Sequence, residues 1–325
     1  MLNLSIFTVF ACTFLLLELL YFYIADKYNI IDHPNERSSH SEVTLRGGGI
    51  IFPIAILIYS LYAGVDYPNF VLGLLCISFV SFWDDIHTAS SKLRIVFHLM
   101  AVTFLFFEIR MFQIPVWMIP IIYILVIGTI NAYNFMDGIN GITGLYSLAL
   151  VSTLIWLNQS IQFINVNLLI ITALALIVFL YFNYRHKARC FAGDVGSVSM
   201  AFIVIFAILL LIIKTDEYLY ILLLAVYGVD VVITMVIRLT NGENIFEAHR
   251  SHLYQKLSNE RAVSHLLVAA AYACLQIIVN IILIYIVRLE YTAMFELGFA
   301  LAVLLALSLL YSLIRMNSNS YSVSS

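Results

Sequence analysis

The chain has 325 residues, 63% of them hydrophobic and 11% charged, with a formal net charge of −3 and a mean hydropathy of +1.00. No water-soluble surface can be assembled from that composition, which excludes a soluble globular protein and leaves an integral membrane protein. The small net charge points to no class of partner, and nucleic acid is not expected among them.

Along the chain, apolar stretches long enough to cross a hydrocarbon core of ~30 Å recur between short polar interruptions. About eleven spans are predicted, at 2–24, 47–63, 68–83, 94–110, 114–131, 141–158, 163–183, 196–213, 217–238, 262–287 and 292–314. The expected fold is an all-α polytopic bundle forming a single transmembrane domain over 1–325. The first run lacks a basic n-region and a small-residue cleavage site and contains Glu18, so it reads as a retained span and not a signal peptide. Cys12, Cys76 and Cys274 fall inside spans and Cys190 in a loop, a distribution that suggests neither a disulfide framework nor a zinc cluster.

Lys and Arg set the orientation, because they accumulate in short cytoplasmic loops. With the N-terminus outside, the inside loops and the C-terminal tail hold Lys27, Arg37, Arg46, Lys92, Arg94, Arg185, Lys187, Arg189, Arg238, Arg250, Lys256, Arg261 and Arg315. The other side holds Arg110, Lys214 and Arg288. A cell-membrane protein with its C-terminus and long loops in the cytoplasm is therefore expected.

The same parity sorts length. Outside connections are short, whereas the five inside loops read DKYNIIDHPNERSSHSEVTLRGG, WDDIHTASSKLR, NAYNFMDGING, YRHKARCFAGDVGS and RLTNGENIFEAHRSHLYQKLSNERAVSH. A transporter places polar groups near the midplane of the bilayer, often in broken helices. Here Glu18 and Asp230 are the acids placed well inside spans, and most of the remaining polarity lies at one membrane face. That suggests chemistry at the interface.

Asp84, Asp85, Asp137 and Asp194 come from three of these loops, each close to a span end. Acids beside bases favour a divalent cation with a phosphorylated ligand, and magnesium commonly takes one or two carboxylates and completes its shell with water and phosphate oxygens. A single Asp of this kind is as often a solvated helix-end charge. FAGDVGS says more: Gly193 and Gly196 flank Asp194 ahead of a helix N-terminus that favours anions, and Phe191 offers a flat face for a base. A tight turn capped by Asp194 explains the glycines equally well. His249 and His252 stand three apart, a spacing that sets two imidazoles on one helix face. Zinc is the alternative metal, opposed by the lack of an HExxH pattern and by the hard-oxygen character of the other candidate ligands.

Together the five loops resemble those of the polyprenyl-phosphate N-acetylhexosamine-1-phosphate transferases. Asp32, Pro34, Arg37, His40, Arg46, Gly48 and Gly49 match the first-loop pattern. Asp84 and Asp85 match an aspartate pair, with Lys92 downstream. NAYNFMDGING and FAGDVGS match two further segments, and Asp230, Arg238, His252 and Leu253 match the late Asp, Arg and His-Leu.

The resemblance implies transfer of an N-acetylamino-sugar 1-phosphate from a UDP-sugar to polyprenyl (undecaprenyl) phosphate, releasing UMP and initiating a cell-envelope polysaccharide such as O-antigen or capsule. It implies Mg2+, with Mn2+ as a substitute, held by Asp194 and Asn134. Asp84, Asp85, Asp137 and His252 are then the catalytic candidates. Asn140, Phe191, Gly193, Lys92, Arg250, Arg37 and Arg46 are the substrate-binding ones, and a homodimer is a further expectation.

Two departures stand out. His87 and Thr88 follow the acid pair where many members have a third acid, and Tyr254 and Gln255 replace two histidines of the late loop. These look like the branch handling 6-deoxy amino sugars. The rival class is a transporter or flippase for a phosphate-bearing lipid.

Overall fold

The computed structural model describes residues 2–32, 43–244, 250–289 and 291–319, with side chains as far as Met316. A helix stands at each of the eleven predicted spans. They are α1 (Leu4–Lys27), α2 (Ile51–Ala63), α3 (Pro68–Ile86), α4 (Ser91–Glu108), α5 (Met118–Met136), α6 (Ile142–Ile161), α7 (Val166–Asn183), α8 (Gly193–Thr215), α9 (Ala225–Thr240), α11 (His265–Val287) and α12 (Ala293–Asn319). α10 (Leu253–Gln255) is a short turn of helix in the last loop. Among the described residues eight helices are long and apolar enough to cross a membrane. α2 is shorter, and α4 carries Lys92, Arg94 and Glu108. The protein is an all-α polytopic membrane protein.

One feature lies outside the all-α expectation. β1 (Ile31–Asp32) pairs antiparallel with β2 (Thr44–Leu45), and Leu45 makes a parallel bridge to Cys190. The first and fourth loops are thereby stitched together.

α8 occupies the centre. Its sequence is apolar on every side from Met200 to Leu211, and a helix hydrophobic all round belongs in a core. Phe70 of α3 stacks on Phe206 with ring centroids 4.0 Å apart. Small residues bring α8 against the chain that precedes α2: a Cβ placed on Gly49 would lie 2.2 Å from the Gly196 Cα. This contact admits no side chain, and it lets the N–H groups of Gly48 and Gly49 donate to the carbonyls of Phe191 and Ala192 at 2.8 and 3.0 Å.

Helix ends are fixed by local chemistry. Pro68 opens α3, where its missing N–H is harmless, and the Glu108 carboxylate accepts from the Asn69 and Phe70 N–H groups at 2.6 and 3.2 Å. Ser90 caps α4 by accepting from the Leu93 N–H. Gly141 adopts a left-handed φ of 84° ahead of α6. Asn183, at the end of α7, accepts from the Gly141 N–H at 2.7 Å and donates to the Cys190 carbonyl at 2.8 Å. This buried amide ties the third loop to the fourth.

Candidate active site

A cavity of about 630 Å3 opens where the end of α3, the start of α4, the end of α5, the start of α8 and the α10 turn converge. Asp84, Asn134, Asp137, Asp194 and His252, all singled out from the sequence, line it. Residues more than a hundred positions apart become neighbours because α3 and α5 both pack on α8.

The two aspartates of α3 divide. Asp84 lines the cavity, where its carboxylate accepts from the Arg94 guanidinium at 3.0 Å and from the Ala89 N–H at 2.6 Å. Asp85 turns away and its side chain is fully buried. One carboxylate oxygen accepts from Arg46 Nε at 2.7 Å and from the Asp194 N–H at 2.9 Å, and the other accepts from the Val195 N–H at 2.9 Å. Asp85 therefore satisfies the open N–H groups at the start of α8, a stabilising place for an anion. Its expected place among the catalytic candidates does not fit this enclosure, and the geometry makes it a residue that positions Asp194.

Gly193 is required at that junction. Its φ is 71°, and a Cβ there would lie 2.6 Å from an Asp85 carboxylate oxygen. Arg46 also reaches the Asp194 carboxylate at 3.4 Å, and the Tyr21 hydroxyl donates to the Arg46 carbonyl at 2.5 Å. The cation at the mouth of α8 is thus tied to α1. Ser197, one turn into α8, donates to Asn134 Oδ1 at 3.4 Å.

Asp137 follows the end of α5. Burial pushes its carboxyl up to about 7, the Asp194 charge adds to this, and the Thr143 hydroxyl and Arg46 oppose it. A carboxyl held so far above its ordinary range at the edge of a cavity is a poor isolated anion and a good neighbour for a cation.

Asp84, Asn134, Asp137 and Asp194 thus bring their side-chain oxygens to one cavity. Among the described residues no three His, Cys, Asp or Glu side chains form a metal cage by themselves. The donor set suits a hard cation that takes few carboxylates and fills its shell from substrate and water, as magnesium does. Among the described residues it offers no cysteine, and its two histidines, His98 and His252, stand among mostly oxygen donors, a poor match to zinc.

His252 is the extended N-cap of α10 (φ −62°, ψ 150°), ahead of that helix and not on one of its faces. His249, and Arg37 with Pro34 and His40 of the first loop, lie outside the described residues. Asp230, from within α9, accepts from the Leu253 N–H at 3.2 Å and from the Tyr272 hydroxyl at 2.5 Å, and lies 3.1 Å from His252 Nδ1. Tyr254 donates its hydroxyl to the Phe135 carbonyl at 2.9 Å and covers Gly138, where a Cβ would lie 2.2 Å from that oxygen. Gln255 closes the turn by accepting from the His252 N–H at 3.3 Å.

Other predicted residues stand away from the lining. Asn140 is buried and donates to the carbonyls of Arg185 and His186 at 2.8 and 3.3 Å, so its amide holds the fourth loop. Phe191 uses its backbone to join Leu45 and Gly48. Lys92 and Arg250 are exposed, and neither borders the cavity.

Sequence reasoning did not count Ser81, Arg94, His98, Asn131 or Gln255 among the site residues, and all five line it. Helical spacing carried a signal for three of them. His98 is one turn beyond Arg94, and Asn131 is three residues before Asn134 on the same face.

Residues 67–213, which run from the start of α3 into the last turn of α8, match Glycosyl transferase family 4. The chain is 25% identical over 260 residues to the probable undecaprenyl-phosphate N-acetylglucosaminyl 1-phosphate transferase of Bacillus subtilis, covering 72% of this chain and 71% of that protein. It is 26% identical to the undecaprenyl-phosphate alpha-N-acetylglucosaminyl 1-phosphate transferase of Thermotoga maritima, covering 71% of this chain and 75% of the relative. It is also 26% identical to the phospho-N-acetylmuramoyl-pentapeptide-transferase of Dictyoglomus turgidum, covering 61% and 71%. These matches bear out the resemblance drawn from the five loops.

Proposed function

From a chain that carries a glycosyl transferase family 4 region at residues 67–213, we infer a membrane transferase that moves a sugar 1-phosphate from a nucleotide-activated N-acetylamino sugar to polyprenyl phosphate. One observation carries the reading: the cavity where Asp84, Asn134, Asp137 and Asp194 face inward beside Arg94 and His252. The relatives' names support the lipid acceptor and the sugar-phosphate cargo. A UDP-sugar donor, the cytoplasmic placement of the loops and a role in starting a surface polysaccharide belong to the same proposal.

Phosphoryl transfer depends on positioning and charge neutralisation more than on covalent help from the protein. Mg2+, held by Asp194, Asn134 and Asp137, would supply neutralisation of the donor diphosphate. Arg46 and the α8 N–H groups fix where Asp194 stands, by way of Asp85. Asp84 and Arg94 form a paired acid and base at the wall of the cavity: the guanidinium suits the acceptor phosphate, and the carboxylate holds the guanidinium. A phosphate monoester has its second pKa near about 6, so the acceptor is largely dianionic at neutral pH. Proton removal by Asp84 then contributes less than the metal ligands do. His252, with Nδ1 on Asp230, faces the phosphates as a hydrogen-bonding group.

Tyr254 and Gln255 stand where two histidines are common in the family. A wall less basic at that point supports the branch that uses 6-deoxy N-acetylamino sugars.

The test supplies purified protein with polyprenyl phosphate, Mg2+ and a panel of UDP-N-acetylamino sugars, and follows UMP and the lipid-linked product. UMP release with formation of a polyprenyl-diphospho-sugar is expected, fastest with a 6-deoxy donor. Lipid binding with no UMP from any donor would replace the reading by the flippase one. Turnover with the parent N-acetylglucosamine donor alone would remove the 6-deoxy assignment.

A further inference from the structure

Of the eight membrane-crossing helices α12 is the least enclosed, with 11% of its apolar window buried. Tyr311 is an exception, at 4% exposed, and it belongs to a hydrogen-bonded chain that ends at the cavity. Arg315 Nη1 donates to the Tyr311 hydroxyl at 2.6 Å and to the Ser251 carbonyl at 2.9 Å. The Tyr311 and Thr234 hydroxyls are 2.8 Å apart, and Thr234 donates to Asp230 Oδ1 at 3.2 Å. That same oxygen lies 3.1 Å from His252 Nδ1.

The direction of every bond is fixed by its ends. Arginine has donors only and a carboxylate accepts only. Arg315 therefore occupies the Tyr311 oxygen as acceptor, the Tyr311 proton turns to Thr234, and the Thr234 proton turns to Asp230. Asp230, as acceptor, selects the His252 tautomer with its proton on Nδ1 and leaves the lone pair of the neutral ring on Nε2. A second, shorter route runs through the backbone, since Ser251 is the residue before His252.

We infer that α12 is a working part of the site, with Tyr311 and Arg315 acting as positioning residues that set the orientation and tautomer of His252. The inference rests on the proposed transfer reaction only in taking turnover as one of its two readouts.

The test uses the full-length protein and the variants Arg315→Met, Arg315→Lys and Tyr311→Phe, each alone and combined with His252→Ala. Arg315→Met and Tyr311→Phe should lower kcat by about tenfold, within the range known for displaced catalytic groups, while KM for both substrates stays within about twofold. Arg315→Lys, which returns a donor to the same place, should recover most of the loss. In the His252→Ala background neither change should cost more than about twofold, because residues that act as a unit are not additive. A full tenfold loss in that background, or wild-type turnover in Arg315→Met, overturns the inference.

Hydrogen exchange of the peptide spanning 250–257 provides the readout that needs no turnover. Faster exchange in Arg315→Met than in wild type is expected, and unchanged exchange overturns the clamp whatever the reaction proves to be. A wild-type protein that binds lipid but releases no UMP overturns the transfer reading and leaves the clamp to be decided by exchange.

Discussion

Asp84 and Asp85 are adjacent in the chain and serve different partners: Asp84 pairs with Arg94 at 3.0 Å on the cavity wall, whereas Asp85 pairs with Arg46 at 2.7 Å beneath it. Neighbouring residues on a helix point about 100° apart, so one turn of α3 delivers one acid to the site and one to the framework. The two substitutions should therefore fail differently. Asp84→Asn is expected to lower turnover at least about tenfold with little change in thermal stability, since a partly exposed pair is worth about 0–1 kcal/mol. Asp85→Asn puts an amide NH2 where two backbone N–H groups and Arg46 already donate, and should cost about 2 kcal/mol of stability. Thermal unfolding in detergent alongside UMP release separates the two. A stable, inactive Asp85→Asn would show that Asp85 works in the chemistry after all.

The metal ligands should outrank the acid at the acceptor. At saturating magnesium Asp194→Asn is expected to be nearly inactive, and Asp84→Asn should keep more turnover because its acceptor phosphate arrives already ionised. Asp194→Asn should also raise the magnesium concentration needed for half-maximal activity. If Asp194→Asn were mild and Asp84→Asn nearly dead, the order would be reversed and general-base help would dominate.

Hydropathy made all eleven helices legible, because in a bilayer each span must satisfy its own backbone and so leaves an apolar run of readable length. The loops made five cavity residues legible: Asp84, Asp137, Asp194 and His252 as acids and an imidazole near span ends, and Asn134 through the family resemblance. What stayed hidden depended on direction. Asp84 and Asp85 look equivalent in a sequence, and only the packing of α3 on α8 separates them. Lys92 was favoured over Arg94, yet Lys92 is exposed and Arg94 borders the cavity. Asn140, favoured as a substrate-binding residue, uses its amide on the Arg185 and His186 carbonyls. The β1–β2 ladder is two residues on each strand, too short to leave any periodic trace.

The approach of Gly49 to Gly196 predicts a stability effect remote from the chemistry. An alanine at Gly49 would set its Cβ 2.2 Å from the Gly196 Cα and 2.9 Å from the Ala192 carbonyl oxygen. Both neighbours are backbone and cannot swing aside. Gly49→Ala should cost about 1–3 kcal/mol, the usual range for overpacking, and should loosen the Gly48 and Gly49 hydrogen bonds that hold α8 in place. Gly128 in α5 has nothing within 4 Å of such a Cβ. Gly128→Ala should be neutral or stabilising by about 0.5–1 kcal/mol, through helix propensity. Melting of the two variants side by side checks the contrast, and equal melting points would remove the steric account.

Asp137 predicts a pH dependence whose sign can be worked out. Its carboxyl stands at about 7 in the folded protein against an ordinary value of 3.8. Between those two values the folded chain holds a proton that the unfolded chain releases, so stability falls as pH rises through the window. The contribution is intact below the unfolded value and fully lost above the folded one. Asp137→Asn is isosteric and does not titrate, so its melting advantage over wild type should widen from about pH 4 to about pH 7 and then level off. The measurement is a melting series in buffers stripped of divalent cations, with both proteins in one detergent. An advantage independent of pH would mean that Asp137 is not held above the ordinary carboxylate range. Magnesium added at pH 7 should raise the wild-type melting point more than that of Asp137→Asn, since a cation beside the carboxylate offsets the charge that burial disfavours.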